Sequence, residues 1–180
     1  MADAQRVNPV HRLTIAAMAS SLRNMAHIMD KAESHAAENK IGLDAYLQAR
    51  LYPDMFNLLQ QVQYVCYVSV DYARHFSDAP APHVGYDEAT WPELVQSLKA
   101  ATDYLLAVSP ANAERQATKI VPVFFDDTRG MAAIDYAAAV TIPDFYFHMA
   151  VAYAILRHSG VPLGKSDYFG STDTVAMPSP

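Results

Sequence analysis

One helical repeat near the start of the chain constrains the fold more than any other feature of the sequence. Apolar side chains recur there at alternating spacings of three and four residues: Ile15, Met18, Leu22, Met25, Met29, Ala32 and Ala36. This spacing puts them on one stripe of an α-helix, and other helices must cover that stripe. A chain of 180 residues can supply those helices within one domain around one core.

Two more helices are predicted before residue 110. The second covers about Pro53–His75, because proline suits the first turn of a helix, where its missing N–H costs nothing. The third follows a capping box formed by Thr90 and Glu93. Its apolar stripe consists of Leu94, Leu98, Ala101, Leu105 and Val108.

The last helix is predicted from about Asp135 to His158. Pro143 interrupts it, since proline removes the hydrogen bond to the Ala139 carbonyl and bends the helix. Gly160, just beyond the end, is a helix stop signal.

A β-branched and aromatic run, TKIVPVFF, precedes the last helix and is followed by DDTRG and MAAI. This pattern predicts a small hairpin with its turn at DDTRG and with Pro122 on an edge strand. The complete prediction is an all-α protein, an antiparallel four-helix bundle with a small β-hairpin between helices 3 and 4. We expect one domain over residues 1–170 and a flexible tail over residues 171–180.

Composition excludes several classes of partner. The balance of 13 Lys+Arg against 19 Asp+Glu gives a net charge of −6, and the basic residues are scattered, so we expect neither nucleic acid nor membrane as a partner. A single cysteine, Cys66, excludes a disulfide framework. The N-terminus shows no apolar signal segment, and no apolar run reaches the length of a membrane span. These features predict a cytoplasmic protein.

The candidate site lies in the stretch PDFYFHMAVAYAILRH, where Asp144 and His148 are four residues apart among apolar side chains. One helical turn brings such a pair together. Three interpretations stay open. The pair is a core hydrogen bond, an acid/base dyad in which Asp144 orients the His148 imidazole, or part of a metal site.

The stretch PDFYFHMAVAYAILRHSGVPLGKSDYFG, with ARLYPDMFNLLQQVQ and KAESHA, resembles the DinB/YfiT-like four-helix bundles, in a branch catalogued as a domain of unknown function. The resemblance implies a DinB-like bundle that often forms a homodimer. In the wider superfamily, a divalent metal is held by one histidine from helix 2 and an HxxxH pair on helix 4. By this resemblance His148 takes the place of the second histidine and Asp144 that of the first.

The helix 2 ligand of that superfamily falls within LLQQVQ, where this chain has Gln60, Gln61 and Gln63 and no histidine. Amides are poor metal ligands beside imidazole, so no tightly bound metal or other cofactor is expected. If a divalent metal binds weakly, its ligands would be Asp144, His148 and Gln61.

The sequence therefore predicts a small-molecule pocket between helices 2 and 4 and a metal-independent isomerase, lyase or cyclase acting on an apolar or aromatic substrate. His148 would be the acid or base, Asp144 would orient it, and Tyr64 or Tyr67 would donate to an oxyanion. Candidate substrate-binding residues are Tyr146, Phe147, Tyr153, Gln60, Gln63 and Asp71. Two alternatives are a degenerate metal-dependent transferase or hydrolase, and a non-enzymatic dimeric stress-associated or scaffolding protein.

Overall fold

The computed structural model describes residues 9–124, 126–171 and 177. Its helices are Pro9–Leu13 (α1), Ile15–Asn39 (α2), Leu43–Gln48 (α3), Leu58–Ala73 (α4), Trp91–Leu106 (α5), Pro110–Arg115 (α6), Ala133–Tyr136 (α7), Ile142–His158 (α8) and Lys165–Phe169 (α9). A 3₁₀ turn covers Arg74–Phe76, and a π-helical segment covers Ala137–Thr141. The strands are Ile120–Val123 (β1) and Asp126–Ala132 (β2).

Four long helices, α2, α4, α5 and α8, form the bundle. Helix α2 packs mainly on α5, and α4 packs on both α8 and α5. Every residue of the predicted α2 stripe is buried, and so is every residue of the α5 stripe. The apolar periodicity therefore identified the faces that form the core. The predicted tail falls largely on residues 172–176 and 178–180, which lie outside the described residues.

Helix α4 begins at Leu58, so the prediction of a start at Pro53 is wrong. The Asn57 side chain accepts a hydrogen bond of 2.9 Å from the Gln60 backbone N–H, and the Gln60 side chain accepts one of 3.0 Å from the Asn57 N–H. This reciprocal capping box satisfies two N–H groups of the first turn. Nothing before Pro53 offers an equivalent cap, because Leu51 and Tyr52 have no side-chain acceptor near the backbone.

The hairpin is present, but its turn is not at DDTRG. Strands β1 and β2 pair antiparallel with Ile120 opposite Ala132 and Val123 opposite Asp126. Residues 126–130, where the turn was predicted, therefore lie in β2. Gly130 belongs in this strand because a Cβ there would lie 2.5 Å from Ile120 Cγ2, so the close approach of the strands requires glycine.

The last helix is interrupted, as predicted, but over a longer stretch and from an earlier start. It begins at Ala133, widens into the π-helical segment Ala137–Thr141, and resumes as α8 with Pro143 in its first turn. A proline cannot donate the ordinary intrahelical bond, and the wider π turn accommodates it. Taken together, the helical segments from Ala133 to His158 are long and apolar enough to cross a membrane, by length and composition alone. Within the bundle it is the core helix that buries Phe145, Met149 and Ile155.

Candidate functional site

The paired residues Asp144 and His148 lie one turn apart on α8 and face α4. Asp144 Oδ1 is 3.5 Å from His148 Nε2, which is too long for a direct hydrogen bond. The His148 side chain is 12% exposed and that of Asp144 is 25% exposed. Both side chains therefore reach solvent in part, and the imidazole is more buried than the carboxylate.

Gln61 of α4 determines which nitrogen of His148 carries the proton. The Gln61 amide Nε2 donates to the Phe56 carbonyl at 3.2 Å, so its Oε1 is the atom that faces His148 Nδ1 at 2.6 Å. A carbonyl oxygen only accepts, so Nδ1 must be the donor and Nε2 of the neutral ring keeps its lone pair. Gln61 is 1% exposed, and this burial holds the amide in place.

Tyr64 of α4 holds the carboxylate. Its hydroxyl donates to Asp144 Oδ2 at 2.9 Å, and its ring lies 4.3 Å from the His148 ring, centroid to centroid. Burial and the neighbouring Asp144 raise the pKa of the Tyr64 phenol. Tyr64 therefore stays protonated and continues to donate to Asp144 at neutral pH.

Burial lowers the pKa of His148, although the charge of Asp144 acts in the opposite direction. An imidazole starts from about 6.5, so the lowered pKa leaves His148 neutral at pH 7. Two acceptors, His148 Nε2 and Asp144 Oδ1, then converge with no proton between them. Such an arrangement is complete only when a donor binds there, whether a hydroxyl, an N–H group or water.

Aromatic rings surround the imidazole. Phe56 stacks on His148 with centroids 5.8 Å apart, and Phe147 meets it edge-on at 5.1 Å. Both phenylalanines are exposed in part, Phe56 by 43% and Phe147 by 56%. The surface beside the imidazole is therefore apolar.

The side chains do not form a three-ligand metal site as arranged. Gln61 faces Nδ1, whereas Asp144 faces Nε2 on the other side of the ring, so the three predicted ligands cannot meet at one ion. In the described part of the chain, no group of three or more His, Cys, Asp or Glu side chains is placed to hold a metal. Two ligands alone leave a divalent ion without the protein donors that a zinc site requires.

The other predicted residues separate into distinct places. Phe147 lies beside His148, but Tyr146 turns to α2, where its hydroxyl accepts a hydrogen bond from Ser21 at 3.2 Å. Tyr153 packs edge-on against Tyr168 of α9. Neither Tyr146 nor Tyr153 shares the face of α8 that carries His148. The prediction that both tyrosines line one pocket together with His148 is therefore corrected.

The polar candidates on α4 also differ in position. Gln60 is exposed in the capping box, and Gln63 donates to the Glu88 carbonyl at 2.8 Å. Asp71 forms an ion pair with Arg74. Tyr67 lies next to the site, with its ring 6.2 Å from that of Tyr64.

Sequence reasoning missed Phe56, because it expected that position to lie inside a helix. It considered Gln61 only as one of three glutamines that could hold a metal, because the resemblance places a ligand within LLQQVQ. The spacing of three between Gln61 and Tyr64 places both on one helix face, and that signal was available in the sequence.

The family model of a domain of unknown function, DUF1993, matches residues 10–169. The chain belongs to the DUF1993 family. The chain is also similar to a solved structure, the crystal structure of a DinB family member protein from Shewanella denitrificans. The two are 33% identical, the match covers 93% of this chain and 95% of that chain, and the TM-score is 0.85. No curated protein matches the chain.

These findings confirm the predicted DinB-like bundle. In this DUF1993 protein, Asp144 and His148 occupy the two helix 4 positions of the resemblance, and Gln60, Gln61 and Gln63 lie in the stretch where it places the helix 2 ligand. Of these glutamines, Gln61 accepts a hydrogen bond from His148.

Proposed function

We propose that this DUF1993 protein is an acid/base enzyme that moves a proton on a small apolar or aromatic substrate, as an isomerase, lyase or cyclase. One observation carries the proposal: Gln61 Oε1 lies 2.6 Å from His148 Nδ1, which leaves Nε2, beside Asp144, as the basic nitrogen of the neutral ring. A purely structural histidine would be expected to use both ring nitrogens in hydrogen bonds.

In the proposed reaction, His148 Nε2 removes a proton from a C–H, O–H or N–H group of the substrate. From a C–H beside a carbonyl, the electron pair of the broken bond forms a double bond to the carbonyl carbon, and the carbonyl π pair moves to its oxygen; from an O–H or N–H, the pair stays on that atom. Asp144 stabilises the imidazolium. Return of the same proton to another atom completes an isomerisation, and transfer of the proton to a departing group completes an elimination. Gln61 positions the ring, and Tyr64 holds the carboxylate.

The oxyanion donor in this scheme is Tyr67, since the Tyr64 hydroxyl is already committed to Asp144. Tyr67 lies against Tyr86 with ring centroids 4.9 Å apart. Its phenol would donate to a substrate oxygen.

Deuterium exchange tests the proposal without a known substrate. A panel of small aryl ketones, aryl aldehydes and cyclic enones is incubated with the protein in D₂O, and incorporation at carbon is followed by mass spectrometry. We expect exchange of at least one compound that His148→Gln abolishes and that the matched control His158→Gln, in the last turn of α8, retains. Exchange by His148→Gln at the wild-type rate would refute His148 as the base, and absence of exchange across the panel would count against carbon acids as substrates.

A degenerate metal-dependent transferase or hydrolase is the second candidate, and the 3.5 Å between Nε2 and Oδ1 is what favours it. Two ligands of one zinc ion lie about 3.4 Å apart at a tetrahedral angle with bonds of about 2.0–2.1 Å. Elemental analysis of untagged protein from cells supplied with Zn, Ni, Fe and Mn separates the candidates. A stoichiometric metal that Asp144→Asn removes would favour the metal enzyme over the metal-independent one.

A small-molecule ligand, a homodimer and a cytoplasmic location remain proposals for this protein. Light scattering coupled to gel filtration tests the dimer. A dimer that exchanges no proton and binds no metal would favour the non-enzymatic scaffolding alternative.

A further inference from the structure

A second cleft lies on the other side of Tyr67, between α4 and the segment 81–86. Its volume is about 240 Å³. Its walls are formed by Tyr67, Val70, Asp71, Arg74, Ala81, Pro82, His83, Val84 and Tyr86. Most of these side chains are apolar or aromatic, which is the usual character of a small-molecule site.

The segment that closes this cleft packs closely against α4. Gly85 has a φ of +104°, and a Cβ there would lie 2.7 Å from Tyr67 Cβ, so the backbone rests directly on the tyrosine. The Glu88 carboxylate accepts from the Gly85 N–H at 2.9 Å and from the Ser97 hydroxyl of α5. The cleft is therefore formed before any ligand arrives, which lowers the entropic cost of binding.

Arg74 supplies the polar group of the cleft. It pairs with Asp71 at 2.8 Å, with the Arg74 side chain 54% exposed. Among the described residues, Asp71 is the only one that pairs with the Arg74 guanidinium. A guanidinium has five N–H donors in a planar fork, so donors remain for a carboxylate at the rim.

We propose that this cleft binds a small aromatic carboxylate. The aromatic ring packs against Tyr67, Tyr86, Val70 and Pro82, and the carboxylate accepts from the N–H groups of Arg74 that Asp71 does not use. Asp71 neutralises the overall charge of Arg74, so the ligand is selected by directed donors and by ring stacking more than by net charge.

This inference deepens the proposed function and rests on it for the identity of the substrate. A row of rings connects the cleft to the base: His148 to Tyr64 at 4.3 Å, and Tyr64 to Tyr67 at 6.2 Å. These rings lie between the cleft and His148, so a substrate bound at Arg74 would have to extend past Tyr67 and Tyr64 to bring its far end to the imidazole. In such a substrate the cleft would provide selection and His148 would move the proton.

The test uses 2-naphthoate and its neutral analogue 2-naphthamide as probes, with binding measured by calorimetry. Ala81→Trp fills the cleft from an exposed position, and Ala79→Trp, also exposed and two residues away, is the matched control. We expect Ala81→Trp to weaken 2-naphthoate by about tenfold or more, about 1.4 kcal/mol, and Ala79→Trp to leave it unchanged. Arg74→Gln should weaken 2-naphthoate and leave 2-naphthamide unaffected.

Three outcomes overturn the proposal: no binding of 2-naphthoate, equal binding of the two probes, or equal losses in Ala81→Trp and Ala79→Trp. Wild-type binding of 2-naphthoate by His148→Gln supports the cleft even where the exchange experiment fails. The failure of the binding site and the failure of the proposed chemistry are therefore distinguishable.

Discussion

Replacing Gln61 with leucine should reverse the tautomer of His148 while the imidazole itself remains. In the wild type, Gln61 Oε1 accepts from Nδ1–H at 2.6 Å, and Nε2 keeps its lone pair. Leucine offers no acceptor, so the proton is better placed on Nε2, where Asp144 Oδ1 lies 3.5 Å away and can accept it after a small movement. The basic nitrogen would then point into the bundle, and the proposed exchange activity should fall with it.

The substitution also has a predictable cost in stability. It removes two hydrogen bonds, to His148 and to the Phe56 carbonyl, from a side chain that is 1% exposed. Each neutral bond contributes about 0.5–1.5 kcal/mol, and a buried group left without a partner costs about 1–3 kcal/mol. Burial of the leucine offsets part of this loss. We expect a net loss of about 2–3 kcal/mol in the free energy of unfolding, or roughly 4–12 °C in Tm for a chain of this size.

Long-range proton–nitrogen NMR of the histidine rings measures the tautomer directly, and urea denaturation measures the stability. The wild type should show a protonated Nδ1 and an unprotonated Nε2 at pH 7.5, and Gln61→Leu should show the reverse. Gln63→Leu, which loses a bond to Glu88 on the same helix, is the control and should leave the His148 signals unchanged. An unprotonated Nδ1 in the wild type would refute the reasoning at its first step.

Three further outcomes follow from the structure. Burial lowers the pKa of His148 in the folded protein, so as pH falls the imidazole binds a proton in the unfolded chain before it does so in the folded one, and stability is lost as pH falls through about 6.5. Urea denaturation should show the wild type losing stability relative to His148→Gln between pH 7.5 and 5.5. A constant difference between the two would contradict the lowered pKa. Gly85→Ala should lower the free energy of unfolding by at least about 1–2 kcal/mol, because alanine is strained at a φ of +104° and its Cβ would meet Tyr67. An unchanged Tm in thermal melts would contradict the placement of the 81–86 segment against Tyr67. Phe145→Ala, at a fully buried position, should cost about 3–5 kcal/mol in urea denaturation, and a cost below about 1 kcal/mol would remove Phe145 from the core.

The helices of this protein could be predicted where a local signal exists. The stripe from Ile15 to Ala36 and the Thr90–Glu93 cap both depend on residues within a few positions of each other. The start of α4 was missed because two local signals competed, and the reciprocal cap of Asn57 and Gln60 prevailed over the proline. The turn of the hairpin was misplaced because Gly130 serves a close contact between strands instead of a turn.

The pairing of Asp144 with His148 was predictable because one helical turn separates them. The partners of that pair were not, since they come from α4 and depend on how the two helices are rotated against each other. The same rotation directs Tyr146 to Ser21 on α2 and leaves Phe147 beside the imidazole.

By itself the sequence determined a four-helix bundle with an ionisable pair on its last helix, because periodicity and spacing are properties of a single segment. Only the tertiary structure decided which groups surround that pair. Packing of α4 on α8 places an amide oxygen on one nitrogen of His148 and a carboxylate near the other. The orientation of a ring against a neighbouring helix is set by contacts across 80 or more residues, as for Tyr64 with Asp144 and Gln61 with His148, and no local pattern contains it.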